Sequence, residues 1–192
     1  QKYPNTKHVM YDAISYSGML DANMTSFGQR AIPTYRFDNA KVIVSIGADF
    51  LGTWLNPEIF SVQYGKTRKI SAKKPDMSKH YQIEGIMSLT GGNADERVTC
   101  LPSQYGAVAL GILNALSGAP ANISPAVNDM IKKIAADLNA NKGNALVVCG
   151  SNDVNVQTIV NAINNAIGSY GSTISFASIN NTKKGNDAEM NA

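Results

Sequence analysis

The chain has 192 residues, of which 44% are hydrophobic, a composition sufficient for one buried core. Its formal net charge is +3, from 17 basic and 14 acidic residues, and this small excess argues against a nucleic-acid-binding protein. No stretch approaches the roughly 18 apolar residues of a membrane-spanning helix, so we expect no direct insertion into a membrane.

The two ends of the chain suggest how its domains are organised. The sequence opens at Gln1 without a methionine and closes in the polar stretch GNDAEMNA. We therefore expect a segment of a longer protein, with a single α/β domain over residues 1–180 and a polar, disordered tail over residues 181–192.

The strongest local signal lies in residues 41–55, KVIVSIGADFLGTWL. Residues 42–46 form a short apolar run of mainly β-branched residues, which is typical of a strand buried on both faces of a parallel sheet. Gly47 lets the chain leave this strand sharply. Before it, residues 7–11 favour a strand, residues 15–29 a short helix and residues 32–35 an extended linker.

The middle of the chain carries weaker signals. Pro57 follows an asparagine and predicts the first turn of a helix. Residues 80–87 alternate polar and apolar only in part, which predicts a strand at a sheet edge or with one wet face. Residues 97–101 favour another short strand, and residues 106–116 favour a buried helix.

The second half of the chain repeats the pattern of the first. Ser124 and Pro125 predict the start of an amphipathic helix. Residues 145–149 form a second buried β run that a glycine ends, and Asp153 or the residue before it can cap the next helix. Residues 173–176 favour a final strand.

Two glycine-ended strands, each followed by a helix, predict a three-layer α/β fold of Rossmann-like type, with an open, mostly parallel sheet and helices on both faces. Ligands of such sheets bind beyond the carboxyl ends of the strands. The candidate cleft is therefore lined by residues of the two loops that follow these strands: Gly47, Ala48, Asp49, Gly150, Ser151 and Asn152. Neither loop contains G-x-G-x-x-G or a Walker lysine.

Catalytic and metal-binding patterns are missing from the sequence. Cys100 and Cys149 lack metal-ligand spacing and are interpreted as core thiols, and two thiolates are too few for an iron–sulfur cluster. Only His8 and His80 are present, and His80 is interpreted as a surface residue rather than a base. We predict no catalytic residue and no metal site.

Three further features need interpretation, and two of them admit two interpretations. Trp54 either stacks on a ligand or seals a core or interface, and the second is favoured. Residues 95–97, Asp-Glu-Arg, are interpreted as an ordinary turn with a local ion pair. The basic residues between positions 66 and 79 form either a solvated loop face, which is favoured, or an anion or partner site: Lys66, Arg68, Lys69, Lys73, Lys74 and Lys79.

Several longer strings resemble one family of respiratory proteins. They include YDAISYSGMLDAN over residues 11–23, ADFLGTWL over 48–55, MSKHYQ over 77–82 and MSLTG over 87–91. These strings closely resemble the large iron–sulfur subunit of bacterial alternative complex III, in the molybdopterin oxidoreductase superfamily. That subunit joins a molybdopterin-oxidoreductase-like half to an iron–sulfur half. From Ala145 onward the likeness is to the general molybdopterin-oxidoreductase α/β domain.

The resemblance implies a domain without a cofactor. In cofactor-binding members, a P-G-T-D-like turn helps to hold the pterin dinucleotide. Here residues 102–105 read Pro-Ser-Gln-Tyr, and the ring of Tyr105 would obstruct a guanine edge or fail to pair with it. The resemblance thus implies a structural, non-catalytic domain, with iron–sulfur clusters elsewhere in the full subunit.

The resemblance also implies partners and a location. The expected partners are the iron–sulfur half of the same subunit and the cytochrome c and membrane subunits of a quinol-oxidising complex at the periplasmic face of the bacterial inner membrane. One alternative is a genuine domain of a molybdenum oxidoreductase that binds molybdopterin guanine dinucleotide through the two loops. A generic nucleotide-binding enzyme is a third possibility.

Overall fold

The computed structural model describes residues 4–73, 75–120 and 123–192. Its strands are β1 Ile32–Tyr35, β2 Val42–Ile46, β3 Lys79–Glu84, β4 Glu96–Thr99, β5 Ala145–Cys149 and β6 Ile174–Asn180. Its α-helices are α1 Ser17–Phe27, α2 Pro57–Arg68, α3 Leu89–Gly92, α4 Tyr105–Leu116, α5 Pro125–Ala140, α6 Val154–Ala166 and α7 Asp187–Met190.

The main sheet has four parallel strands in the order β4-β3-β2-β5. Strand β2 is central, and its Val44 lies opposite Tyr81 of β3 and Val147 of β5. Every residue of β2 and β5 is buried, which explains their continuous apolar sequences. The predicted three-layer α/β fold of Rossmann-like type is confirmed.

Each face of the sheet packs against its own group of helices. One face buries Val44, Tyr81 and Val147 against α4 and α5. The other face buries Ile43 and Leu146 beneath α1, α2 and a set of neighbouring aromatic side chains: Phe37, Phe50, Trp54, Phe60 and Tyr64. Trp54 therefore seals a core, as the favoured interpretation of this residue expects.

The interpretation of β3 as an edge or wet strand is wrong. Strand β3 lies between β2 and β4, and its polar side chains His80, Gln82 and Glu84 are all buried beside α2 and α3. Partners inside the protein permit this burial: Glu84, for example, accepts a 2.6 Å hydrogen bond from Nε of Arg97.

Two predictions for the first 35 residues also differ from the structure. Residues 7–11 form no strand, and residues 32–35 are a strand rather than a linker, since β1 pairs with β6 in a separate antiparallel two-stranded sheet. Within residues 181–192, residues 187–190 form helix α7, and the main-chain N–H of Gly185 donates to Asp12 near the start of the chain.

Candidate functional site

The candidate cleft lies where the strand order reverses. The chain passes from β2 to β3 on one side of β2, while β5 lies on the other side, so the loops after β2 and β5 flank the switch point of the sheet. These loops touch, since a Cβ added to Gly150 would overlap the carbonyl group of Gly47. The structure thus brings together the two predicted glycines.

Asp49 is engaged within the protein. Its Oδ1 accepts hydrogen bonds of 3.0 Å from the main-chain N–H of Thr90 and 2.7 Å from the Thr90 hydroxyl. Its carbonyl accepts from the main-chain N–H groups of Gly52, Thr53 and Trp54. Asp49 therefore fixes its own loop and connects it to α3, instead of presenting a free carboxylate to a ligand.

The residues after β5 are engaged in the same way. Oδ1 of Asn152 accepts a 2.9 Å hydrogen bond from the N–H of Gly18 in the first turn of α1. The carbonyl of Ser151 accepts a 2.6 Å bond from Nε2 of Gln157. The next residue, Asp153, caps α6 by accepting from the N–H groups of its first turn, as predicted.

Tyr105 occupies the space beside the first glycine. Gly47 has a φ of +64°, and a Cβ at this position would overlap the Tyr105 ring. The Tyr105 hydroxyl accepts a 3.2 Å hydrogen bond from the N–H of Gly85, and burial raises the pKa of this phenol above its ordinary value. Tyr105 thereby occupies part of the space beside the loop after β2.

The remaining crevice is small. Its volume is about 190 Å³, and residues 14–16 line it together with Asp49, Thr53 and Trp54. Tyr16 is fixed there because its hydroxyl accepts a 3.1 Å hydrogen bond from the N–H of Leu55, which has a left-handed φ of 54°. Sites for drug-sized ligands usually enclose about 300–1,000 Å³, so this crevice is smaller than a typical ligand site.

The other chemistry-bearing groups lie outside the crevice or are inert. Cys100 and Cys149 are buried free thiols, and burial raises both pKa values, that of Cys149 to about 12, which keeps it protonated and a poor nucleophile. His8 is exposed. In the described ranges, no group of three or more potential metal-binding side chains occurs, and no helix is long and apolar enough to cross a bilayer.

The basic segment takes part in ion pairs. Arg68 forms a bidentate pair with Asp95, at 2.6 and 2.7 Å. Lys79 lies 3.2 Å from Glu96 and 3.1 Å from Asp137. The interpretation of residues 95–97 as a local ion pair is therefore wrong, because each of the three pairs with a distant segment. Lys74 lies outside the described residues.

The interpretation of His80 as a surface residue is also wrong. His80 is 0% exposed, and its Nδ1 lies 3.1 Å from the hydroxyl of Tyr64, which donates its own proton to the carbonyl of Asn93. The imidazole therefore donates from Nδ1. The polar alternation of residues 80, 82 and 84 was the available signal, but the sequence could not show that this face is covered.

Comparison with models of known protein families finds none that matches this chain. A search of curated proteins likewise finds no matching sequence.

Proposed function

We propose that this chain is a non-catalytic structural domain of an electron-transfer subunit, specifically the molybdopterin-oxidoreductase-like half of the large iron–sulfur subunit of a quinol-oxidising respiratory complex. The observation that carries the proposal is the filled switch point. Tyr105 lies against Gly47, and the space left there is about 190 Å³.

The polar groups of the two loops support the same proposal. Asp49 is bonded to Thr90, and Asn152 is bonded to Gly18, so recruiting either side chain to a ligand would leave its present partner unsatisfied. The buried histidine and the protonated thiols provide no alternative reactive group. The domain thus retains the architecture of a cofactor-binding fold, but its residues do not fit the cofactor.

Exposed apolar side chains at the carboxyl edge of the sheet favour a partner protein that covers this edge. Ile86 is 83% exposed and Leu101 is 64% exposed, in the loops that follow β3 and β4, and Met87 and Leu89 are exposed beside them. Exposed apolar clusters of this kind mark protein interaction sites. In the proposed complex, the neighbours are the iron–sulfur half of the subunit and the cytochrome c and membrane subunits at the periplasmic face.

Metal and pterin analysis of the purified complex that contains this chain tests the proposal. We expect iron from clusters in the other half of the subunit, with molybdenum and extractable pterin far below one per subunit. Stoichiometric molybdenum with pterin would contradict the proposal and favour the alternative, a genuine molybdopterin guanine dinucleotide-binding domain.

A titration of the chain with guanosine diphosphate provides a second test. The small size of the crevice predicts no saturable heat of binding in calorimetry. Saturable binding that Asn152→Ala weakens would instead assign a nucleotide site to the two loops. Asn155→Ala, on the outer surface of α6, is the matched control, because its side chain is exposed and lies outside the crevice.

A further inference from the structure

Residues 183–190, here called the strap, lie across the start of the chain. The carboxylate of Asp12 accepts hydrogen bonds of 3.1 Å from the N–H of Lys184 and 2.7 Å from the N–H of Gly185. A Cβ added to Gly185 would lie 2.8 Å from Asp12, so the two segments are in close contact.

Asp187 connects the strap to two other segments near the crevice. Its Oδ2 accepts a 2.7 Å hydrogen bond from the hydroxyl of Ser15, which lines the crevice. The same oxygen accepts a 3.3 Å bond from Nδ2 of Asn152, in the loop after β5. A single carboxylate therefore joins residues 14–16, which line the crevice, to the loop after β5.

Polar contacts hold the strap in place. Nη2 of Arg30 donates a 2.9 Å hydrogen bond to the carbonyl of Gly185, whereas Met190 at the end of the strap is 55% exposed. Oδ1 of Asp187 is buried without a hydrogen-bond partner among the described residues, which lowers the stability of the closed arrangement. A contact of this kind is released at much lower cost than a packed core.

We propose that the strap reversibly closes the switch-point crevice, and that the hydrogen bonds of Asp187 hold it in the closed position. When Asp187 is bonded to Ser15 and Asn152, residues 14–16 stay over the crevice. When Asp187 is released, these residues move away as a unit while the sheet beneath keeps its structure. The crevice of this domain is then a gated space whose access is controlled from the segment containing α7.

Amide hydrogen exchange of the full chain, followed by NMR, tests the gate. The reporters are the N–H of Gly18, bonded to Asn152, and the N–H of Leu55, bonded to Tyr16. In Asp187→Ala both amides should exchange about fivefold to tenfold faster than in the unmodified chain, since a lost hydrogen bond shifts a local opening equilibrium by about that factor.

Two controls separate the gate from a general loss of stability. Glu189→Ala removes an exposed carboxylate from the same short helix and should leave both reporters within about twofold. The amide of Val44 in the central strand should be unchanged in either variant. Unchanged reporters in Asp187→Ala, or an equal acceleration at Val44, would overturn the proposal. Neither result would alter the molybdenum content that tests the proposed structural role. The proposed gate and the proposed structural role can therefore be contradicted separately.

Discussion

At the scale of single residues, Gly47 meets two constraints together. Its φ of +64° lies in the left-handed region, which side chains with a Cβ adopt only with strain, and its missing side chain leaves room for the Tyr105 ring. The ring and the glycine are thus a matched pair that keeps the switch point filled.

Gly47→Ala should therefore lower the free energy of unfolding by about 2–3 kcal/mol, from backbone strain together with displacement of the ring. Urea denaturation followed by circular dichroism measures this change. Gly65→Ala is the control: it lies within α2 with free space around it, and it should raise stability by about 0.5–1 kcal/mol. Equal effects of the two substitutions would show that Tyr105 does not constrain Gly47.

The burial of His80 makes the stability of the protein depend on pH. Burial lowers its pKa from 6.5 to about 4, so the folded protein keeps the imidazole neutral where the unfolded chain binds a proton. The stability that this neutral state provides is complete above pH 6.5 and is lost as the pH falls toward 4. Neighbouring carboxylates Glu84 and Asp95 have lowered pKa values, so their protonation costs stability mainly at lower pH.

Between pH 7 and pH 4.5, the unmodified chain should lose about 2 kcal/mol more stability than His80→Gln, which cannot titrate. Urea midpoints measured for both chains across this range give the difference directly. Parallel losses in the two chains would show that His80 is not held neutral by its burial.

At the scale of elements, helix α6 completes strand β5. Within the part of the chain that the structure describes, no strand pairs with the outer edge of β5, and side chains take the place of one. Oδ1 of Asn164 accepts a 3.0 Å hydrogen bond from the N–H of Val147, and its Nδ2 donates a 2.8 Å bond to the carbonyl of the same residue. Ser169 and Thr173 donate to the carbonyl of Ala145. The edge is therefore closed to pairing with another chain.

Asn164→Ala should lower the free energy of unfolding by about 2–4 kcal/mol, because it leaves a buried N–H and a buried carbonyl of Val147 unpaired. Thermal or urea denaturation measures the loss. Asn165→Ala changes the exposed neighbour on the same helix and should stay within about 0.5 kcal/mol. Similar stabilities of the two variants would show that water replaces the lost contacts.

At the scale of the whole molecule, the two hydrophobic clusters share one sheet. Val44 and Val147 face one cluster, whereas Ile43 and Leu146, their immediate neighbours in sequence, face the other. Since β2 and β5 belong to both clusters, loss of either removes support from the other. The two clusters should therefore unfold together.

Trp54, the single tryptophan, lies in the second cluster and makes this coupling measurable. We expect one urea transition, with coincident midpoints for Trp54 fluorescence and for far-ultraviolet circular dichroism. This result would also support the predicted single domain over residues 1–180. A fluorescence transition that precedes the loss of secondary structure would indicate two independently folding parts.

The sequence alone determined the features that arise from local patterns. The apolar β-branched runs specified β2 and β5, the glycines after them specified where these strands end, and a proline or an aspartate marked where α2, α5 and α6 begin. Such signals depend on burial and backbone preferences within a few residues, and the identities of neighbouring residues set these preferences.

The tertiary structure decided what depends on contacts between distant segments. Burial of His80 requires a helix that begins at Pro57, and the closure of the crevice requires Asp187 to meet Ser15 at the opposite end of the chain. The antiparallel pairing of β1 with β6 is equally remote in sequence. The residues next to a polar side chain in sequence can be the same whether that side chain faces water or a buried partner. Only the packing of distant segments against it determines which of these two environments it has.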